Sequence, residues 1–176
     1  GVVMDLDGEG GHDVVADAIE LLENLEHRGT TGAEAETGDG AGVMLETPHA
    51  LVADELDVDL PETYAVGSTF LPTDADDRER LQALFESVLE DRDLHVLAWR
   101  HVPTDASDLG ATAVASEPAV YQPVVAPADD FAGSFGRELY VARRAVENAV
   151  EAREPPGAER FYVCSLDPDT VVYKGL

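Results

Sequence analysis

Cations are scarce in this 176-residue chain: ten arginines and a single lysine, Lys174. Phosphate backbones and anionic membrane surfaces are gripped by clustered Lys and Arg, so neither nucleic acid nor a membrane is an expected partner. Cysteine occurs once, as Cys164. A lone cysteine excludes an intramolecular disulfide and any thiolate-rich metal site. It lies in the apolar run Phe161-Tyr162-Val163-Cys164, which suits a small buried hydrophobe better than a nucleophile. Long apolar runs are absent, so no transmembrane helix is expected. The start, GVVMDLDGEGGHD, lacks a basic region and an apolar stretch and does not read as a secretion signal. A cytoplasmic protein is the expectation.

What the chain has in excess is acid. Its 37 Asp and Glu against 11 Lys and Arg leave a formal charge of −26. Hydrophobic residues still make up 44 %, enough for a packed core, so the acidity is not that of a disordered chain. The acids run from Asp5 to Asp169 rather than forming a tail. That distribution reads as a solvated surface adapted to high salt, because so large a charge repels itself unless screened.

Apolar spacing predicts the elements. Val14, Val15, Ala18, Leu21, Leu22 and Leu25 form one helical stripe, with Asp13 as the expected cap. Leu81, Leu84, Phe85, Val88 and Leu89 form a second, opened by acids at 74–77. A third helix spans Phe135–Glu151, with Leu139, Ala142, Val146 and Ala149 inward. Strands are expected at Val2–Leu6, Gly42–Thr47, Tyr64–Leu71, His95–Arg100, Val120–Val125, Phe161–Ser165 and Thr170–Tyr173. Turns fall at Asp7-Gly8 and Asp167-Pro168-Asp169, and Glu154-Pro155-Pro156-Gly157 is a loop. Paired strands between single helices indicate an α+β fold of hairpins and layered sheets rather than a parallel wind.

Local site patterns are weak. Asp5, Asp7 and Glu9 start like a calcium loop, but its twelfth position is Ala16, so a hairpin turn is preferred. His12, His27, His49, His95 and His101 are scattered, and no metal site is expected. The glycine-rich run Thr37-Gly38-Asp39-Gly40-Ala41-Gly42 lacks the Lys-Ser/Thr ending of a phosphate loop and precedes a strand, so it reads as a tight turn or a close backbone approach. Leu25 to Gly32 reads as a helix end, with His27 and Arg28 complementing the dipole and Gly29 left-handed.

Taken together, six segments resemble the N-terminal glutaminase domain of the glutamate synthase large subunit, a class II glutamine amidotransferase. They are Asn24-Leu25-Glu26-His27-Arg28-Gly29; Thr37 to Gly42; Tyr64-Ala65-Val66-Gly67 with Phe70-Leu71-Pro72; and Trp99-Arg100-His101-Val102-Pro103 with Leu109-Gly110. Arg137-Glu138-Leu139-Tyr140-Val141-Ala142-Arg143, and Phe161 to Leu166 with Tyr173 to Leu176, complete the set. The resemblance implies the four-layer α/β/β/α sandwich of N-terminal-nucleophile hydrolases, incomplete in this chain. It implies glutamine as substrate: an N-terminal cysteine attacks the side-chain amide with its own α-amine as base, and ammonia passes to a synthase region of the same polypeptide for transfer to 2-oxoglutarate.

Aligning Gly8, His12 and His27-Arg28-Gly29 with the family places that cysteine three positions ahead of Gly1. The family's glutamine-binding and oxyanion segments would follow Gly175. Residues 1–176 are therefore expected to be part of the domain and, alone, inactive. No catalytic residue is expected within the chain. Arg28, Gly29, Asp39 and Gly40 match the supporting shell of the glutaminase site. Arg100, Arg137 and Arg143 are expected in ion pairs. No cofactor is expected in this segment, whereas FMN and an iron–sulfur cluster are implied for the full-length enzyme, with a small electron-donating subunit or ferredoxin as partner. The alternative is a non-catalytic amidotransferase-like binding or regulatory module.

Overall fold

The computed structural model describes residues 1–8, 10–25, 29 and 40–175. They fall into two compact units, one drawn from residues 1–43, 106–116 and 174–176, the other from 44–105 and 117–173. The elements are helices α1 (His12–Glu23), α2 (His49–Glu55), α3 (Ala75–Glu90), α4 (Ala111–Ser116) and α5 (Phe135–Arg153). The strands are β1 (Ala41–Glu46), β2 (Ala65–Leu71), β3 (Leu94–His101), β4 (Ala119–Pro127), β5 (Tyr162–Asp167) and β6 (Thr170–Gly175).

The larger unit is layered. Strands β3-β4-β2-β5 form an antiparallel sheet in that order, and β1 pairs with β6. On one face of the four-stranded sheet, Leu81, Leu84, Phe85 and Leu89 of α3 and Leu139, Ala142, Val146 and Val150 of α5 pack against Ala65, Leu71, Leu94, Val125 and Val163. The opposite face offers Val66 and Val124, which meet Val171 of β6, Val52 of α2, Tyr64 and the partly buried Leu45 of β1. Alternate residues of one strand therefore serve two cores, as period-two side chains must in a sheet covered on both sides. The result is a helix layer, a sheet and a second sheet. The α+β expectation of antiparallel layers holds. Among the described residues, no helix is long and apolar enough to cross a membrane.

Two elements depart from the sequence reading, and two were not expected. Residues 2–6 form no strand; Val2, Met4 and Leu6 are 80 %, 66 % and 92 % exposed, and apolar side chains alone make no ladder without a partner. The first helix starts at His12, two residues early, so Asp13 lies in its first turn and Gly11 takes the N-cap with no side-chain cap bond. Helices α2 and α4 each bury a single side chain, Val52 and Ala113. By contrast, Asp74 caps α3 through the backbone N–H of Asp77 at 3.1 Å, just where the acidic run begins.

Candidate functional site

In the smaller unit, Gly1 lies directly against α1: a Cβ at residue 1 would come within 2.8 Å of Leu21 Cδ1. Downstream, the backbone N–H of Asp7 donates to Asp5 Oδ1 at 2.7 Å, and Gly8 follows at φ +74°. This is the expected turn at Asp7-Gly8, held by an Asx contact. The calcium-loop pattern includes Glu9, which lies outside the described residues. Among the described residues, no three His, Cys, Asp or Glu side chains come together to hold a metal.

Of the four shell positions, Arg28 and Asp39 lie outside the described residues, as do His27 and the turn Thr37-Gly38. Gly29 is exposed. Gly40 is the one that acquires a geometry. It is exposed, holds φ +85° and leads straight into β1 at Ala41. A residue with a Cβ is strained there by about 1–2 kcal/mol, so the glycine is a conformational requirement at the mouth of the strand.

In the larger unit, the face turned to the second sheet carries a row of buried polar side chains that sequence reasoning missed. Arg100 of β3 is paired in register with Gln122 of β4, and Ser68 of β2 with Ser165 of β5. The Arg100 side chain is only 10 % exposed. Its Nε donates to Glu55 Oε2 of α2 at 2.5 Å, and its Nη1 donates to Gln122 Oε1 at 2.9 Å. The guanidinium hydrogen bond, more than Coulomb attraction, holds the Glu55 carboxyl below its ordinary value. Ser165 Oγ accepts from the backbone N–H of Val172 in β6 at 3.1 Å. At the other end of α2, His49 Nδ1 and Tyr64 Oη share a hydrogen bond of 2.7 Å, and burial raises the Tyr64 hydroxyl above its ordinary range. Helix α2 is thus fastened at both ends and through Val52 at its middle.

The arginines expected in ion pairs divide. Arg100 pairs with Glu55 and Arg143 with Glu147. Arg137, exposed on α5, forms no ion pair among the described residues. Cys164, half-buried in β5, takes part in no disulfide among the described residues.

The family description "Glutamine amidotransferases class-II" matches residues 1–176. The chain is 38 % identical over 188 residues to the NADH glutamate synthase of Schizosaccharomyces pombe, covering 99 % of this chain and 9 % of that protein. It is 35 % identical over 183 residues to the NADPH glutamate synthase large chain of Bacillus subtilis, covering 100 % of this chain and 12 % of that one. With the chloroplastic ferredoxin-dependent glutamate synthase of Oryza sativa subsp. japonica it shares 37 % over 183 residues, again all of this chain and 11 % of the relative. The chain thus spans about a tenth of the length of the curated relatives it matches. On the match over its whole length and the antiparallel layers of its larger unit, the chain belongs to the class II glutamine amidotransferases.

Proposed function

We propose that this chain is part of the glutaminase domain of a glutamate synthase, a sandwich of the N-terminal-nucleophile type. The observation that carries this reading is the end-to-end match to glutamate synthases that differ in electron donor. The nucleophile is a cysteine three positions ahead of Gly1. Its α-amine takes the thiol proton, and the thiolate adds to the carbonyl carbon of the glutamine side-chain amide. Backbone and Asn donors hold the oxyanion. The proton returns to the departing nitrogen, ammonia leaves, and water hydrolyses the thioester to glutamate. An α-amine titrating near pH ~8 suits this exchange at neutral pH.

This chain's own residues support the centre rather than perform the step. Gly1, pressed on Leu21, fixes the path of the strand that would carry the cysteine. Arg28 orients that strand or the substrate end of the site, Gly29 lets the backbone pass, and Asp39 and Gly40 close against the nucleophile. The left-handed φ of Gly40 supports a close backbone approach there. Ammonia goes to the synthase region for transfer to 2-oxoglutarate, fed by a small electron-donating subunit or ferredoxin. FMN and the iron–sulfur cluster belong to that region: a cluster needs several thiolates, and this chain has one cysteine. The compartment is the cytoplasm, where a single thiol such as Cys164 stays reduced.

The test is made on the complete enzyme. Intact mass and N-terminal sequencing of the native protein should give a chain several-fold heavier than 18.8 kDa, with Cys three residues before Gly1. In that enzyme, Arg28→Ala should lower glutamine-dependent turnover by about 10²-fold, as misplacement of reacting groups does. Turnover with ammonia supplied should be unaffected. Unchanged glutaminase turnover at unchanged stability would sink the role of Arg28.

A further inference from the structure

The first twelve residues of α5 have a charge balance opposite to that of the chain. The whole sequence stands at −26, yet residues 135–146 hold Arg137, Arg143 and Arg144 against Glu138 alone. Glu138 is already engaged, accepting from Arg92 Nη1 at 2.7 Å. Arg137, Tyr140 and Arg144 follow the i, i+3, i+7 spacing and so form one stripe. They lie opposite Leu139, Ala142 and Val146, which face the core. Tyr140 is 65 % exposed and Arg144 56 %. Arg137 is exposed and makes no ion pair among the described residues, while Arg144 reaches only Glu147, one turn along. Elsewhere in the larger unit the solvated Arg80 has a local acid, Asp77.

We propose that this Arg137–Tyr140–Arg144 face docks on a carboxylate-bearing surface of the same polypeptide, outside residues 1–176. The inference rests on the reading of the chain as one domain of a longer synthase. Arginine and tyrosine are the residues that dominate the buried centres of protein interfaces, and a planar guanidinium matches a carboxylate bidentately. A second copy is the poorer occupant, because two chains of −26 repel at distance before any contact forms. A region of the same polypeptide meets the face at a high effective concentration set by its tether. The matched relatives supply room for such a region, since about nine-tenths of their length lies outside the match.

The experiment is hydroxyl-radical footprinting of the native full-length enzyme, read at Tyr140 by mass spectrometry. Tyr140 should be protected in the wild-type enzyme. Its labelling should rise severalfold in the Arg137→Glu/Arg144→Glu variant, and also in wild type as NaCl is raised to about 1 M, where the Debye length falls to about 3 Å. The salt arm keeps the test decisive if the variant misfolds. Free labelling of Tyr140 in a long native chain overturns the inference, as does protection indifferent to both charge reversal and salt. Protection lost on dilution also overturns it, pointing to a second copy. A native mass of 18.8 kDa would instead remove the longer-synthase reading on which the inference rests.

Discussion

Arg100 shows how a charge is kept inside a protein of this kind. Its guanidinium is mostly withdrawn from water but meets a carboxylate on one side and an amide oxygen on the other. Such a group stabilises only while its partners remain, because a buried donor left unpaired costs about 1–3 kcal/mol. The partner Glu55 is solvent-exposed, so its contribution is read best through pH. Its folded-state value is depressed below the ordinary 4.5, chiefly by the Arg100 hydrogen bond. A depressed carboxyl adds stability that is present above the unfolded value and disappears as pH falls through the folded one. Glu55→Gln should therefore melt below wild type at pH 7. The two melting curves should converge once the pH has dropped well under 4.5. A gap that stayed constant down to the acid limit would mean that shape, not charge, ties α2 to the sheet.

Among the elements, β2 is the strand on which the larger unit turns. It lies between β4 and β5 and faces both cores. Gly67 has Pro123 Cγ of β4 within 2.7 Å of where a Cβ would stand, and Leu166 Cδ1 of β5 within 3.2 Å. Proline in an interior strand gives the ladder no N–H, and here its ring takes the space the glycine leaves. Gly67→Ala should cost about 1–3 kcal/mol in thermal or denaturant unfolding, the range for overpacking a close-fitted interior. A stability loss below that range would show that the Pro123 ring gives way freely. The sequence declared α3 and α5 because each repeats its buried side chains every three or four residues. It was silent on α2 and α4, where one buried residue apiece sets no period. It overstated residues 2–6, since a short apolar stretch records a capacity for pairing and not a partner. The polar row across the sheet was illegible for a different reason: Arg100 reaches Glu55 and Gln122 across 45 and 22 residues, a juxtaposition only the folded topology creates. Of the candidate shell, the Gly40 turn was readable because glycine before a strand has a local meaning.

At the scale of the whole molecule, charge dominates. Five ion pairs are described, mostly at the surface, and such pairs contribute about 0–1 kcal/mol each before salt weakens them. Against them stands the mutual repulsion of a −26 chain. Repulsion is the larger account, so the melting temperature should climb as NaCl is raised from about 0.01 M to 1 M, over which the Debye length shrinks from about 30 to 3 Å. A melting temperature that fell with salt would show that the ion pairs outweigh the repulsion. Connectivity has its own consequence. Asp167 Oδ1 accepts from the backbone N–H groups of Asp169 and Thr170, fixing a tight link that delivers β6 from β5 locally. Strand β1 has no such neighbour: the backbone N–H of Thr47 at its end meets the carbonyl of Asp169, 169 − 47 = 122 residues on. Closing a loop of that length costs about 4 kcal/mol in chain entropy. In native-state hydrogen exchange, β1 amides should open before those of β2, and the reverse order would refute this ranking. On the ribosome the same separation becomes a delay. At about 5–20 residues per second, β1 is finished roughly 6–25 seconds before the strand it pairs with exists, so a newborn chain must keep it from other partners for that long.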